Sequence, residues 1–165
     1  MKGFIPASWF NKDQNPKIKE SPLEINRSDK KILVVDDSRT QLFASKKMLE
    51  KFGFSVITAE NGRTGILKAR KEKPDLILMD IVMPEVNGFQ ATRYLTRHPD
   101  TSQIPIIIVS GSTQEADKAW GLKLGACDFL TKPIEAGMLI TKIIRQLEMS
   151  NQQPVSINTD SQKAG

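Results

Sequence analysis

Five polar residues follow short strand-like runs along the chain, and their chemical types suit phosphoryl transfer. Asp36 and Asp37 follow one run, Asp80 ends a second, Ser110 ends a third and Lys132 follows a fourth. Crowded carboxylates repel one another, and a hard cation such as Mg²⁺ relieves that repulsion with oxygen ligands alone. A carboxylate can also act as a nucleophile and form an aspartyl-phosphate. An ammonium and a hydroxyl can hold the other phosphoryl oxygens. If these residues meet, they predict a Mg²⁺ site with Asp80 as the phosphoryl acceptor.

Each of these residues also has a simpler interpretation when it is taken singly. The acidic pair or the adjacent Ser38 could cap a helix, and Asp80 could close a turn. The serine and the lysine could be ordinary loop residues. Only their joint placement after four separate runs favours a shared site.

The elements that must position these residues alternate regularly between strands and helices. Strands are predicted at 31–36, 55–59, 76–80, 105–110 and 128–131. Helices are predicted at 40–52, 62–71, 87–97, 113–124 and 136–148, with Asn87 as a cap for the third. Apolar strands separated by single helices predict an α/β fold, a three-layer α/β/α sandwich around a parallel sheet. In such a sheet the carboxyl ends of the strands form one edge, where binding sites gather.

Composition limits the classes of protein that remain. The chain has 165 residues, 39% of them hydrophobic and 26% charged, and one cysteine, Cys127, so no disulfide can form within it. A single thiol is consistent with a reducing compartment, and we expect a cytoplasmic protein. No apolar stretch approaches the roughly 20 residues of a membrane span. Residues 1–14 contain no run long enough for a signal peptide.

The charge and the order of the chain divide it into three parts. Residues 1–30 carry a net charge of +2, residues 31–148 carry +3 and residues 149–165 carry zero, so no dedicated DNA-binding arm is expected. We predict a flexible N-terminal extension at 1–30, a single domain at 31–148 and a disordered tail at 149–165. The extension contains a cluster of apolar residues, Phe4, Ile5, Trp9 and Phe10. They could form a docking motif, or lie on the domain without a function.

At this point the domain resembles the receiver domain of two-component response regulators, of the single-domain chemotaxis type. The resemblance rests on four motifs: VVDD at 34–37, LMDIVMPEVNG at 78–88, IIVSGS at 107–112 and GACDFLTKP at 125–133. It covers about 70% of the chain. The segments MDIVMPEVNGFQATRYL and DKAWGLKLGACDFLTKP further resemble receivers that control type IV pilus twitching or phototaxis. The family implies a flavodoxin-like sheet in the order 2-1-3-4-5.

The resemblance also implies a metal site and a phosphoryl acceptor. Asp80 matches the phosphoacceptor, and Asp36 and Asp37 match the acidic pair that positions Mg²⁺. Val82 matches the position whose backbone carbonyl completes the metal shell. A histidine kinase or a phosphotransfer domain is the implied donor.

A conformational switch is implied as well. Lys132 matches the lysine that contacts the phosphoryl group, and Ser110 matches the switch hydroxyl. Phe129 matches the aromatic residue that turns inward when that hydroxyl moves. Pro133 matches a position at which a cis peptide bond is expected.

Three positions bear on how the switch and dephosphorylation would work in such a site. The switch aromatic is Phe129 rather than a tyrosine, so an outward ring has no polar tip to hydrate. Val82 offers no polar side chain beside the phosphoryl group, and Ser112 offers only a small one. Neither residue is suited to positioning an attacking water, and we therefore expect slow to moderate self-dephosphorylation.

Output and partners follow from what else the chain contains. The 17 residues after Glu148 are too few and too polar for a DNA-binding helix-turn-helix, so DNA is not the expected target. The protein either binds a protein target or drains phosphate from a sister receiver. Phosphorylation-dependent dimerisation is left open.

Lys46, Lys47 and Lys51 could dock an acidic kinase or form a solvated helix face. Trp120 could be an exposed partner anchor or a buried one.

Two other classes of function compete with a stand-alone receiver. A haloacid-dehalogenase-like phosphatase would need a nucleophilic Asp at strand one and a second Asp two residues later, where this chain has Ser38. A receiver-like scaffold would not need the whole set of acidic residues together with Lys132. A non-enzymatic phosphoacceptor is therefore the predicted function.

Overall fold

A computed structural model describes residues 25–152 of the chain. The strands are β1 (Lys31–Val35), β2 (Ser55–Ala59), β3 (Leu76–Asp80), β4 (Ile106–Ser110) and β5 (Asp128–Thr131). The helices are α1 (Arg39–Lys51), α2 (Gly62–Glu72), α3 (Gly88–Arg97), α4 (Glu115–Lys123) and α5 (Ala136–Asn151). A short 3-10 helix at Arg27–Asp29 precedes β1. The predicted extension and tail fall largely outside the described residues, so the predicted domain boundaries stay predictions.

The five strands form one parallel sheet in the order β2-β1-β3-β4-β5, which confirms the predicted fold class. The central strands β3 and β4 are buried along their whole length. Both of their faces are covered by helices, and for this reason their sequences are continuous apolar runs rather than alternating apolar and polar residues.

Two apolar layers hold the helices onto the sheet. On one face, Leu42 and Leu49 of α1 and Leu139 and Ile143 of α5 pack with alternate residues of the strands. On the other face, the opposite residues of the same strands pack with α2 and α3. Ile25 also packs against the first of these layers.

Side chains at the helix starts satisfy backbone N–H groups that have no partner within the helix. Ser38 caps α1, Asn61 caps α2, and Asn87 forms a reciprocal capping box with Gln90 at α3. The predicted cap at Asn87 is thus present, and Ser38 rather than the acidic pair caps the first helix. No helix within residues 25–152 is long and apolar enough to cross a bilayer.

The start of α3 lies very close to the backbone at the end of β3, near the carboxyl edge of the sheet. Gly88, the first residue of α3, lies against the backbone of Asp80 and Ile81, and its N–H donates to the Ile81 carbonyl at 2.9 Å. A Cβ at position 88 would lie 2.8 Å from the Ile81 Cα, a distance that requires the backbone to move. This glycine therefore fixes the start of α3 against the end of β3.

We expect Gly88→Ala to lower the free energy of unfolding by about 3 kcal/mol, the range of a serious steric overlap. Gly111→Ala is the matched control, since no atom lies within 4 Å of a Cβ at that position. Urea unfolding followed by circular dichroism measures both variants. Equal stabilities for the two would contradict the proposed role of the close approach.

Candidate functional site

Three carboxylates meet at the carboxyl edge of the sheet. Asp36 follows β1 directly, Asp37 comes next, and Asp80 is the last residue of β3. One carboxylate oxygen from each lies within 4.8 Å of the others. Asp36 and Asp80 are each only 6% exposed, whereas Asp37 is exposed. The sequence predicted this meeting, because β1 and β3 are neighbouring parallel strands in register.

Lys132 neutralises part of this negative charge. Its Nζ donates to Asp36 Oδ2 at 2.9 Å and to Asp80 Oδ1 at 3.0 Å. The lysine follows β5, two strands away from Asp80 in the sheet, and its peptide bond to Pro133 is cis, as the resemblance implies. Its ammonium therefore bridges two of the three carboxylates.

The pKa values of this group reflect burial and mutual charge. Burial raises the pKa of Asp80; the hydrogen bond and charge of Lys132 lower it, and the nearby charges of Asp36 and Asp37 raise it further. Burial alone would lower the pKa of Lys132, but its hydrogen bonds to Asp36 and Asp80 and the charges of these two carboxylates together outweigh burial, so the pKa rises. The Lys132 ammonium thus favours the ionised form of Asp80, but burial and the two neighbouring carboxylates together outweigh that effect on its pKa.

Local hydrogen bonds aim Asp36 into the site. Its Oδ1 accepts from the backbone N–H of Ser38 at 2.9 Å, and its own N–H donates to the Ala59 carbonyl of β2 at 3.1 Å. The first bond leaves Oδ2 for Lys132. No pattern in the sequence predicts this turn beyond the short polar pair before the helix.

Ser110 and Lys132 are joined through the backbone. Ser110, 1% exposed, ends β4, and its carbonyl accepts from the Lys132 N–H at 2.7 Å. Its hydroxyl oxygen accepts from the Ser112 N–H at 3.0 Å. The strand register pairs Ser110 with Thr131, directly before the lysine.

Phe129 lies inside the protein, 8% exposed, in a small apolar cluster with Ile81, Ile108 and Ala126. Helix α4 rests on this cluster through Gly121, where a Cβ would lie 2.7 Å from Ile108 Cδ1 and 3.7 Å from Phe129 Cδ2. The position of α4 therefore depends on how this cluster is packed.

Two features of the loop between β3 and α3 bear on the site. Val82, two residues after Asp80, has a side chain that is 76% exposed. Glu85 adopts a left-handed backbone with φ of 63°, a conformation that a non-glycine residue seldom takes. A glutamate at this position does not predict a left-handed backbone, because glycine or asparagine is the usual residue in that region.

Acidic groups and a lysine at the carboxyl edge of a 2-1-3-4-5 sheet are the arrangement of a receiver-type protein. Comparison of the chain with known families and proteins leads to the same class. Residues 32–144 match the response regulator receiver domain. The chain is 55% identical to protein PilH of Pseudomonas aeruginosa over 113 residues, which cover 68% of this chain and 93% of PilH. The chain belongs to the response regulator receiver domain family.

Other similar proteins differ in length. The alkaline phosphatase synthesis transcriptional regulatory protein PhoP of Bacillus subtilis is 37% identical over 125 residues, which cover 74% of this chain and 51% of PhoP. The structure of the chemotaxis protein CheY4 of Vibrio cholerae matches 70% of this chain and 97% of its own, with 30% identity and a TM-score of 0.67. The chain thus spans nearly all of PilH and CheY4, but only about half of PhoP.

The acidic cluster has the composition of a site for a hard divalent cation, and cation binding should stabilise the fold. We expect MgCl₂ at about a hundredfold its dissociation constant to raise the free energy of unfolding by about 2.7 kcal/mol relative to EDTA. Asp37→Asn should lose most of this increment, yet be at least as stable as the wild type in EDTA, because it removes one of three like charges.

Asp100→Asn is the matched control for charge. Asp100 is half exposed, at the far end of α3, and faces Arg70 and Lys73. It should keep the magnesium increment. An increment of the same size in Asp37→Asn would place the bound cation elsewhere.

Proposed function

We propose that the chain is a phosphoacceptor of a two-component system that receives a phosphoryl group on Asp80 from a histidine kinase or phosphotransfer domain. The observation that carries this proposal is the bridge from Lys132 to Asp36 and Asp80 within a cluster of three carboxylates. A receiver-family chain with this arrangement has its nucleophile, its cation ligands and its phosphoryl contact on one sheet edge.

The chemistry assigned to each residue is as follows. A carboxylate oxygen of Asp80 attacks phosphorus, a P–O bond forms, and the P–N bond to the donor histidine breaks. Asp36, Asp37, Asp80 and the backbone carbonyl of Val82 would hold Mg²⁺, which neutralises charge on the phosphoryl oxygens. Lys132 is already hydrogen-bonded to Asp80 and needs little movement to reach a phosphoryl oxygen on it.

The donor has a place to approach beside Lys132. A shallow depression of about 480 Å³ lies between α1 and the segment after β5. Its lining includes Gln41, Ala44 and Met48 of α1 together with Lys132 and Ile134. A helix of the donor could pack its apolar side chains there and present its histidine to Asp80.

The switch proposed for this chain couples Ser110 to Phe129. The new negative charge attracts the Ser110 hydroxyl, which then donates to a phosphoryl oxygen instead of accepting from the Ser112 N–H. Phe129 borders a small polar cavity of about 100 Å³ that Ser112, Thr113 and Thr131 also line. A shift of the serine changes the packing around this ring and hence the α4–β5 surface.

The output of this switch is proposed to be a protein contact in the cytoplasm, without an enzymatic reaction on another molecule. Trp120 is 47% exposed on α4, which favours a partner anchor over a buried one. Pilus-based motility or taxis is the proposed pathway, supported by the resemblance of 79–95 and 117–133 to such receivers and by the identity with PilH.

Acetyl phosphate with MgCl₂ should add one phosphoryl group to the wild type, because a small phosphodonor needs no docking surface. Intact-mass measurement should show no gain for Asp80→Asn and a normal gain for the control Asp100→Asn. An equal gain in Asp80→Asn would move the acceptor elsewhere. Steady hydrolysis of a generic phosphomonoester would instead favour a phosphatase.

Self-dephosphorylation should be slow, with a half-life of minutes or longer, since Val82 cannot orient a water molecule. Val82→Asn should shorten that half-life severalfold by adding an amide beside the phosphoryl group. Val82→Ala is the control and should stay close to the wild type. A wild-type half-life of seconds, measured by loss of the phosphorylated mass, would contradict this expectation.

A further inference from the structure

Positive charge is concentrated at one edge of the sheet. Residues 39–73 contain nine basic and three acidic side chains, while the rest of the chain contains fifteen basic and sixteen acidic ones. This segment forms α1, the edge strand β2 and α2, with the two helices on opposite faces of the sheet. We name residues 39–73 the β2 edge.

Helix α1 presents an exposed aromatic ring between two cations. Phe43 is 65% exposed. Arg39 and Lys47 stand four residues before and after it, on the same face of the helix. The Lys47 Nζ lies 5.7 Å from the centre of the Phe43 ring.

Helix α2 repeats the pattern on the other side of β2. Leu67 is 59% exposed, and Arg63 and Lys71 stand four residues before and after it. The next residue, Lys68, donates its ammonium to the carbonyl of Thr58 in β2. The cations and apolar residues of α1 and of α2 therefore border the same strand, since Thr58 also lines the depression that contains Phe43.

Several basic side chains of the β2 edge form no ion pair with the described part of the domain. Arg39 pairs with Glu60 and Lys46 pairs with Glu50. Among residues 25–152, no acidic side chain lies within ion-pair distance of Lys47, Arg63 or Lys71. Lys47 is one of the two cations that flank Phe43, and Arg63 and Lys71 are the two that flank Leu67.

The N-terminal part of the chain joins the domain at this same edge. The carbonyl of Lys30 accepts from the N–H of Ser55, the first residue of β2, and Ile25 to Ser28 lie beside Gly53. The sequence before residue 25 contains a cluster of apolar residues, Phe4, Ile5, Trp9 and Phe10. Tryptophan and phenylalanine favour the headgroup level of a bilayer.

We propose that the β2 edge is a peripheral binding surface for a bilayer that carries anionic headgroups. Cations around Phe43 and Leu67 attract the headgroups, and the two apolar side chains enter the interface. A protein partner fits less well, because lysine is depleted at protein interfaces and the two apolar residues stand singly rather than in one patch. This inference goes beyond phosphoacceptor function and uses none of the site residues.

Co-sedimentation of the full chain with vesicles tests the proposal. The vesicles contain phosphatidylcholine alone or with about one third phosphatidylglycerol. Wild-type protein should bind the anionic vesicles at about 0.15 M salt, bind less as salt is raised, and bind neutral vesicles poorly. Lys47→Glu with Lys71→Glu should weaken the partition roughly tenfold or more.

Two further double variants separate the surface from net charge. Lys118→Glu with Lys123→Glu changes the net charge equally on α4, and should keep most of the binding. Phe43→Ser with Leu67→Ser keeps the charge but should weaken binding severalfold, since only apolar contact is removed. Phosphorylation by acetyl phosphate, measured on all variants, shows that each is folded and reports on the site separately.

Three results would overturn the proposal: wild-type binding equal on anionic and neutral vesicles, equal losses in the two lysine double variants, or full binding by the Phe43 and Leu67 variant. Binding to polyglutamate without binding to anionic vesicles would likewise overturn it and assign the edge to an acidic protein.

Discussion

Mutual repulsion among three carboxylates is the constraint on which the rest of this structure depends. Asp36 and Asp80 are almost fully buried, and burying charges is costly unless they are paired. The Lys132 ammonium supplies that pairing from a different strand, so the ion group closes only when β1, β3 and β5 are all in place. Buried ion pairs seldom add net stability, and the apolar layers on both faces of the sheet must therefore hold the edge together.

Close backbone contacts are the second means by which the fold controls the site. Gly88 sets α3 against the end of β3, and Gly62, at the start of α2, lies against the Val86 carbonyl. The loop that follows Asp80 is thus fixed at both sides, although it is exposed at Val82. A fixed loop beside a buried carboxylate, the proposed phosphoryl acceptor, favours a defined cation position without further side-chain ligands.

The sheet and the meeting of its polar residues could be predicted from the sequence for a simple physical reason. Strands β3 and β4 are apolar throughout because both of their faces are buried, and parallel strands end at one edge. Helix ends were less predictable: α4 spans Glu115–Lys123 rather than 113–124, and its cap Gln114 makes no side-chain hydrogen bond. α5 continues to Asn151 because no glycine or proline stops it.

Other features depend on tertiary contacts that a linear pattern does not contain. The left-handed backbone at Glu85 is imposed by the loop around it, and the double hydrogen bond of Lys132 depends on the distance between three strands. The net charge of residues 31–148 also hides the charge of the β2 edge, because the sum averages two basic helices with the acidic remainder of the domain.

The order of the strands separates the surfaces that the protein can offer to partners. β2 and β5 are the two outer strands, and the carboxylate group lies between them, at the ends of β1 and β3. Contact with anionic headgroups at the β2 edge would therefore leave α4, β5 and Trp120 facing away from the bilayer. A domain held in this way would keep its proposed switched surface open to a protein target, because the two proposed surfaces lie at opposite edges of one sheet.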